Sequence, residues 1–240
     1  MSQSPGMRVS GMRTIVASDR SLLLVFDDRI SLAAHRDVLR LTPLLRSVHG
    51  VTNVHPAYAS ILIDFDPLAI RHSALERAAA ELFTQAVAAP LPEPRLVEIP
   101  VAYGGENGPD LEAVAALSGH TPDEVVAIHS GAEYLVYFLG FSPGFPYLGG
   151  MPESIAAPRL ETPRRRVPAG SVAIGGRQTG VYPMASPGGW RIIGRTPLRL
   201  FDPAIDPPVR LQMGDRVRFV AVGQDGILRA DCESAQSREP

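Results

Sequence analysis

Three stretches in the second half of the chain carry residues whose types and spacing could do chemistry. The first is Gly140 to Glu153, GFSPGFPYLGGMPE. Phe141, Phe145 and Tyr147 are interleaved there with Pro and Gly. Aromatics on so stiff a loop suit the wall of a small-molecule pocket, because little side-chain entropy is lost when a ligand binds. The same residues would also serve to plug one end of a barrel. The second stretch runs from Arg159 to Arg199. It holds eight arginines (159, 164, 165, 166, 177, 191, 195 and 199) and one acid, Glu161, a local charge of +7 in a chain of net −2. Guanidinium grips carboxylate or phosphate through two parallel hydrogen bonds. A solvated surface, or pairing with acids elsewhere, is the competing explanation. Alternation along the chain means that the three residues of Arg164-Arg165-Arg166 cannot all point the same way. The third stretch is Gly175 to Trp190, GGRQTGVYPMASPGGW. Closely spaced glycines let backbone N–H groups approach an oxyanion or phosphate. Gln178, Tyr182 and Ser186 add neutral donors and acceptors. GG and SPGG are also ordinary turn signals.

Other chemistries are excluded or unsupported. All 23 residues counted as Lys or Arg are Arg. A Schiff-base lysine, a pyridoxal-phosphate anchor, a biotinyl-lysine and a standard phosphate-binding P-loop are therefore absent from the chain. The histidines show no HExxH or HxH spacing, so no metal site is expected. His49 and His55 flank a strand, and His120 and His129 fall at helix ends. No GxSxG supports a nucleophilic serine, and Asp64 and Asp66 border a strand end. No catalytic base or nucleophile is identified. Cys232, the single cysteine, lies near a polar C-terminus. It is a poor nucleophile candidate, cannot form a disulfide within the chain, and fits a reducing compartment. The small net charge argues against nucleic acid as the main partner. No secretory signal is visible, and the longest apolar runs fall far short of the roughly 18–20 residues a membrane span needs. A cytoplasmic protein without a membrane partner is expected.

The elements that must position these residues divide into two styles. A length of 240 residues fits one large or two modest domains. Residues 13–88 read as a compact α+β unit. TIVASDRSLLLVFDD holds a strand. Ser31 caps a helix through HRDVLRLTPLLRSV with Leu32, Leu39, Leu41, Leu44 and Leu45 available for burial, and Pro43 kinks or splits it. VTNVHPAY and ASILIDFD follow as adjacent strands. Ser73 caps a second helix that buries Leu75, Ala79, Leu82 and Val87. The order approaches a split βαβ unit. AAPLPEPR, residues 88–95, reads as a linker. Beyond it, VEIPVAYGG is a strand and turn. Two short helices follow, each ended by a glycine, and Thr121 with Glu124 forms a capping-box pattern in the second. Between Gly140 and Pro203 there are 11 Gly and 10 Pro in 64 residues. VAIG, TGVYP, WRIIG and PLRLF punctuate them as short strands, which suggests a β-rich barrel or sandwich. RVRFVAV closes the domain. The expected division is a small α+β domain over 1–90 and a β-rich domain over 91–240, with a flexible tail from about 223 in which ILR is one more short strand.

FLGFSPGFPYLGGMPE and PRLETPRRRVPAGSVAIGGRQTGVYPMASPGGWRIIGRTPLRLFDP resemble the KipI / allophanate-hydrolase-subunit-1 family, whose bacterial members are mostly called the B subunit of 5-oxoprolinase. The likeness is dense over roughly 135–205 and extends over nearly the whole chain. It implies an α+β, two-domain protein with an N-terminal ferredoxin-like domain and a C-terminal cyclophilin-like β-barrel. It also implies two partners of that enzyme: its larger C subunit (KipA or allophanate-hydrolase-subunit-2 type) and its A subunit. With them, ATP would drive the opening of 5-oxoproline to glutamate. ATP, with Mg, would be bound with the partner protein, and nothing would be held covalently here. Two other activities occur among similar proteins: inhibition of a sensor histidine kinase, and carboxyl transfer in urea carboxylase or allophanate-type systems. Arg159, Arg164, Gln178, Tyr182, Ser186, Gly188 and Gly189 match family-typical positions. With Phe141, Phe145 and Tyr147 they are the candidate substrate-binding residues.

Overall fold

The computed structural model of the chain describes residues 8–223 except 10, 87, 89 and 92. Cys232, the expected tail with its short strand, and Val87 lie outside the described residues. Two compact units divide the chain, one ending at Glu93 and one beginning at Pro94.

The first unit is a five-stranded antiparallel sheet in the order β1-β2-β3-β5-β4 with two helices. Its strands are β1 (Arg8–Val9), β2 (Met12–Ser18), β3 (Ser21–Val25), β4 (Val51–Pro56) and β5 (Ser60–Phe65). The segment expected to hold one strand forms a hairpin. Ser18 Oγ accepts from the Arg20 N–H at 3.2 Å across the turn, and Ile15 pairs with Leu23. Alternation buries Leu22, Leu24, Ile61, Ile63 and Phe65 on one face. Helix α1 (Leu32–Leu45) is capped by Ser31, whose Oγ accepts from the Ala34 N–H. It is neither split nor ended at Pro43. That residue sits in the last turn, where its missing N–H forfeits a single bond. The buried stripe is Ala34, Val38, Leu41 and Leu45, so Leu32 and Leu44 are exposed rather than core. Helix α2 (His72–Ala86) starts one residue before Ser73, which is therefore inside the first turn and not a cap. It buries Leu75, Ala79 and Phe83, and Leu82 is only partly covered. The β3-α1-β4-β5-α2 run is a split βαβ core. The strand that would follow α2 is replaced beside β3 by β2, from the preceding hairpin.

The second unit is a closed seven-stranded barrel in the order β10-β11-β8-β7-β14-β6-β13. Its members are β6 (Leu96–Tyr103), β7 (Glu133–Leu139), β8 (Pro146–Gly149), β10 (Ser171–Gly175), β11 (Gln178–Val181), β13 (Arg191–Arg195) and β14 (Arg216–Ala221). A separate two-stranded ribbon pairs β9 (Arg164–Val167) with β12 (Ser186–Gly188). Neither ribbon strand was expected, because RRRV and SPG carry no apolar alternation. PLRLF, expected as a strand, forms only an isolated bridge, Phe201 to Val209. Helices α3 (Leu111–Ser118) and α4 (Pro122–Gly131) pack on β13 and β14. Gly119 ends α3 in the left-handed conformation, and the Thr121–Glu124 capping box opens α4. The interior cluster takes residues from both helices and every barrel strand, including Val101, Val114, Val125, Val136, Ile174, Val181 and Phe219. No helix among the described residues is long and apolar enough to cross a membrane.

Candidate functional site

The candidate residues gather on the outer face of the barrel. On β10 and β11, Val172, Ile174 and Val181 point into the barrel core. Alternation turns Ala173, Gly175, Gln178 and Gly180 outward. A second apolar cluster builds on that outer face from Phe145, Val167, Ala173, Tyr182, Trp190 and Ile192, with Tyr147 at its edge. Glycine makes the close approach: a Cβ at Gly175 would lie 2.5 Å from the Trp190 ring, and one at Gly180 3.1 Å from Phe145. Phe145 meets Tyr147, Tyr182 and Trp190 edge-on, with centroids 5.3, 5.4 and 5.7 Å apart. These aromatics pack together on the outer face of the barrel rather than in its interior cluster. Phe141 departs from the group. It is 65% exposed, holds φ at +66°, and meets the Phe145 ring edge-on.

The ribbon lies over this cluster. Ser186 pairs with Val167 and Gly188 with Arg164, so β9 spends three steps where β12 spends two. That bulge puts one extra residue between Arg164 and Val167. Simple alternation would send these two to opposite sides; the bulge lets both face the barrel and leaves Arg165 and Arg166 exposed. On β13, Ile192 faces outward and Ile193 enters the core by ordinary alternation, and a second bulge leaves Ile193 without a partner on β10. Tyr182 packs against Gly188, where a Cβ would fall 2.4 Å from its hydroxyl. Burial raises the Tyr182 pKa, against the lowering effect of the Trp190 backbone and the Arg159 and Arg164 charges. The group is thus a neutral phenol donor at pH 7. Arg159 lies over the Trp190 ring, 5.7 Å from its centroid. Gly189 O accepts from the Leu160 N–H at 2.7 Å.

The eight arginines divide. Arg164 Nη2 donates to Asp110 Oδ1 at 2.8 Å, and Nη1 is buried without a partner. Arg177 pairs with Glu153, and Arg191 Nε donates to Pro158 O. Arg195 and Arg199 line a different cavity of about 200 Å³ beside Gly170 and Pro183. The structure therefore joins Arg159, Arg164, Tyr182, Ser186, Gly188 and Gly189 around the second cluster, with Phe145 and Tyr147 in it and Gln178 on the same sheet face. Such a surface can hold an anion through guanidinium and backbone groups.

Two residues of consequence escaped sequence reasoning. Asp110 reads as the start of α3, yet its carboxylate holds Arg164 and the Ile192 N–H. His129 falls in the last turn of α4 as expected, but it is fully buried and stacked on Phe219 at 4.5 Å. Thr179 Oγ1 donates to Ala173 O, so it accepts from His129 Nε2 at 2.9 Å. Nδ1 then accepts from the Tyr103 hydroxyl at 2.8 Å. Burial drops the His129 pKa to about 3, so the ring is neutral. Its partner Thr179 lies 50 positions away, beyond any local signal. Among the described residues, no group of three His, Cys, Asp or Glu could hold a metal ion.

Comparison with known proteins follows the same architecture. The family model described as carboxyltransferase domain, subdomain C and D, matches residues 12–211. A protein of Escherichia coli O157:H7, named as the B subunit of 5-oxoprolinase, is 46% identical over 209 residues, covering 87% of this chain and 95% of that one. The Bacillus subtilis protein of the same name is 59% identical over 130 residues, 54% of each chain. The crystal structure of TTHA0988 superposes with a TM-score of 0.75 at 38% identity over 85% of this chain, which spans only 40% of that longer chain. A match over most of its length, with a relative covered almost end to end, shows that this chain belongs to the carboxyltransferase subdomain C and D family, among the 5-oxoprolinase B-subunit / KipI / allophanate-hydrolase-subunit-1 proteins.

Proposed function

We propose that the chain is the B subunit of an ATP-dependent 5-oxoprolinase, acting with the C and A subunits to open 5-oxo-L-proline to L-glutamate. The observation that carries this reading is the near end-to-end likeness to the Escherichia coli protein of that name. The site chemistry supports it. A lactam amide is a poor electrophile, and its hydrolysis is driven as 5-oxoproline, ATP and two waters going to glutamate, ADP and phosphate. ATP, bound with Mg at the partner protein, supplies the phosphoryl group that activates the amide oxygen. The residues of this chain do the holding. Arg159 and Arg164 bind carboxylate or phosphate oxygens, and backbone N–H groups near Gly188 and Gly189 face developing charge. The Tyr182 phenol orients a neutral oxygen. Phe145, Tyr147 and Trp190 exclude water from one side. Asp110, the buried carboxylate that touches Arg164, is committed to that pairing, and the sequence offers no obvious general base. That deficit suits a half-site completed by another protein, and the isolated chain is inactive on this reading. Mixing the chain with the C and A subunits, ATP and 5-oxoproline must yield glutamate; none from a well-folded mixture contradicts the proposal.

One observation favours a second reading: the family description itself names a carboxyltransferase. With no lysine in the chain, carboxyl transfer needs a biotinyl partner. Activity that requires a biotinylated protein, and not the A subunit, would select it.

A further inference from the structure

Asp110 stands at the N-terminus of α3, where an Asp side chain ordinarily accepts the free N–H groups of the first turn. It makes no such bond. The carboxylate is buried and turned toward the ribbon and β13 instead. Oδ1 accepts from Arg164 Nη2 at 2.8 Å, and Oδ2 accepts from the Ile192 N–H at 2.7 Å. The Asp110 N–H donates in turn to Ile192 O at 2.9 Å. One side chain thus gives up its own helix to fix an arginine and the strand that follows Trp190.

Arg164 is gripped by one terminal nitrogen only. The other, Nη1, is buried and has no partner among the described residues, and Ser186 Oγ on the opposite ribbon strand is in the same condition. Arg164 is paired with Gly188, two residues from Ser186, and Tyr182 packs on Gly188. Buried donors are rarely left unpaired. Two such atoms, one on each strand of the same ribbon, are unmet hydrogen-bonding capacity that an incoming oxygen would satisfy.

We infer that Asp110 is a positioning residue: it orients Arg164 so that Nη1, with Ser186 Oγ, receives an oxyanion of the substrate. This rests on the functional reading above and deepens it. The oxyanion is the carboxylate of 5-oxoproline or a phosphate oxygen of ATP, and kinetics separates the two. Asp110 acts through Arg164, so its effect vanishes when Arg164 is gone.

The test is a double-mutant cycle in the assembled three-component enzyme with Asp110→Asn, Arg164→Ala and the pair, each checked for folding by its melting transition. Asp110→Asn lowers kcat/KM roughly 10- to 100-fold in the wild-type background and by less than about twofold in the Arg164→Ala background. A rise in KM for 5-oxoproline assigns the carboxylate; a rise in KM for ATP assigns the phosphate. Equal losses in both backgrounds overturn the inference, since Asp110 would then act only through Ile192. If Asp110→Asn does not fold, Arg164→Lys carries the test. One ammonium can reach Asp110 but offers no second nitrogen beyond it, so a loss close to that of Arg164→Ala supports the assignment and wild-type kcat/KM overturns it. If the wild-type assembly makes no glutamate, the functional reading fails and positioning is judged separately on the isolated chain. Its single tryptophan, Trp190, reports on the site. Emission is titrated with 5-oxoproline and, separately, with inorganic phosphate. Binding weakened about tenfold by Asp110→Asn, but unaffected by it in the Arg164→Ala background, sustains the inference; no response, or no weakening, overturns it.

Discussion

On the proposed reading Arg164 spends one guanidinium on two tasks, holding Asp110 and receiving a ligand oxygen, and its removal has two consequences. Arg164→Ala deletes a charged hydrogen bond to ligand, typically about 1.5–3 kcal/mol, so kcat/KM of the assembled enzyme falls roughly 10- to 150-fold. It also strands the Asp110 carboxylate, whose side chain is only 10% exposed, so the melting midpoint falls as well. Gln178→Ala removes a neutral partner on the outer sheet face. Its expected loss is about 0.5–1.5 kcal/mol, a few-fold to roughly tenfold in kcat/KM. Steady-state kinetics with a parallel thermal melt separates the two variants. Residue type marked Tyr182 and Ser186 as neutral donors and acceptors beside a Gly-rich turn, whereas Arg164 was singled out among eight arginines by the family resemblance. Asp110 was not legible. Its position before LEAV fully explains an Asp as a helix start, and Arg164 lies 54 positions further on. Phe141 shares its type and loop with Phe145, but it is 65% exposed at a φ of +66°, a difference that residue type does not record.

At the scale of elements, the site depends on how closely the ribbon approaches the barrel. A Cβ at Gly188 would meet the Tyr182 hydroxyl at 2.4 Å, and that ring is held edge-on by Phe145. Gly188→Ala therefore destabilises the second unit by about 1–3 kcal/mol and shifts Trp190 emission, both readable in one urea titration. Inside the barrel, His129 makes stability pH-dependent. In the unfolded chain it takes a proton below about pH 6.5, whereas the folded ring stays neutral down to about 3. Between those values the unfolded state binds the extra proton. Stability is then lost as pH falls, by about 1.4 kcal/mol per pH unit. His129→Gln lowers stability at pH 7 but flattens this limb; an unchanged slope between pH 6.5 and 4 would refute the assignment. Elements with local signals were readable: the Ser31 cap, the Thr121–Glu124 box and the alternation of β5. The ribbon was not, because its strands hold through one partner each and carry Arg and Gly in place of apolar alternation. The β2–β3 hairpin was missed since its two-residue turn, Asp19-Arg20, lacks Gly or Asn.

For the whole molecule, the proposed function makes this chain one part of a larger enzyme. The chain has arginines and glycines to hold an anion but no lysine, and the Asp110 carboxylate is committed to Arg164. The closed barrel was foreseen through family resemblance, since Gly/Pro-punctuated short strands alone could not distinguish it from a sandwich. Closure depends on β14 pairing parallel with β6, over a separation of 120 positions between Arg216 and Leu96 that no short-range pattern records. The most direct measurement is an omission series: this chain, the C and A subunits, ATP and 5-oxo-L-proline, with glutamate and ADP quantified together, then each component left out in turn. The account predicts glutamate and ADP in equal amounts from the complete mixture and no glutamate from this chain alone. Turnover by the isolated chain, or full glutamate production when it is omitted, would contradict it.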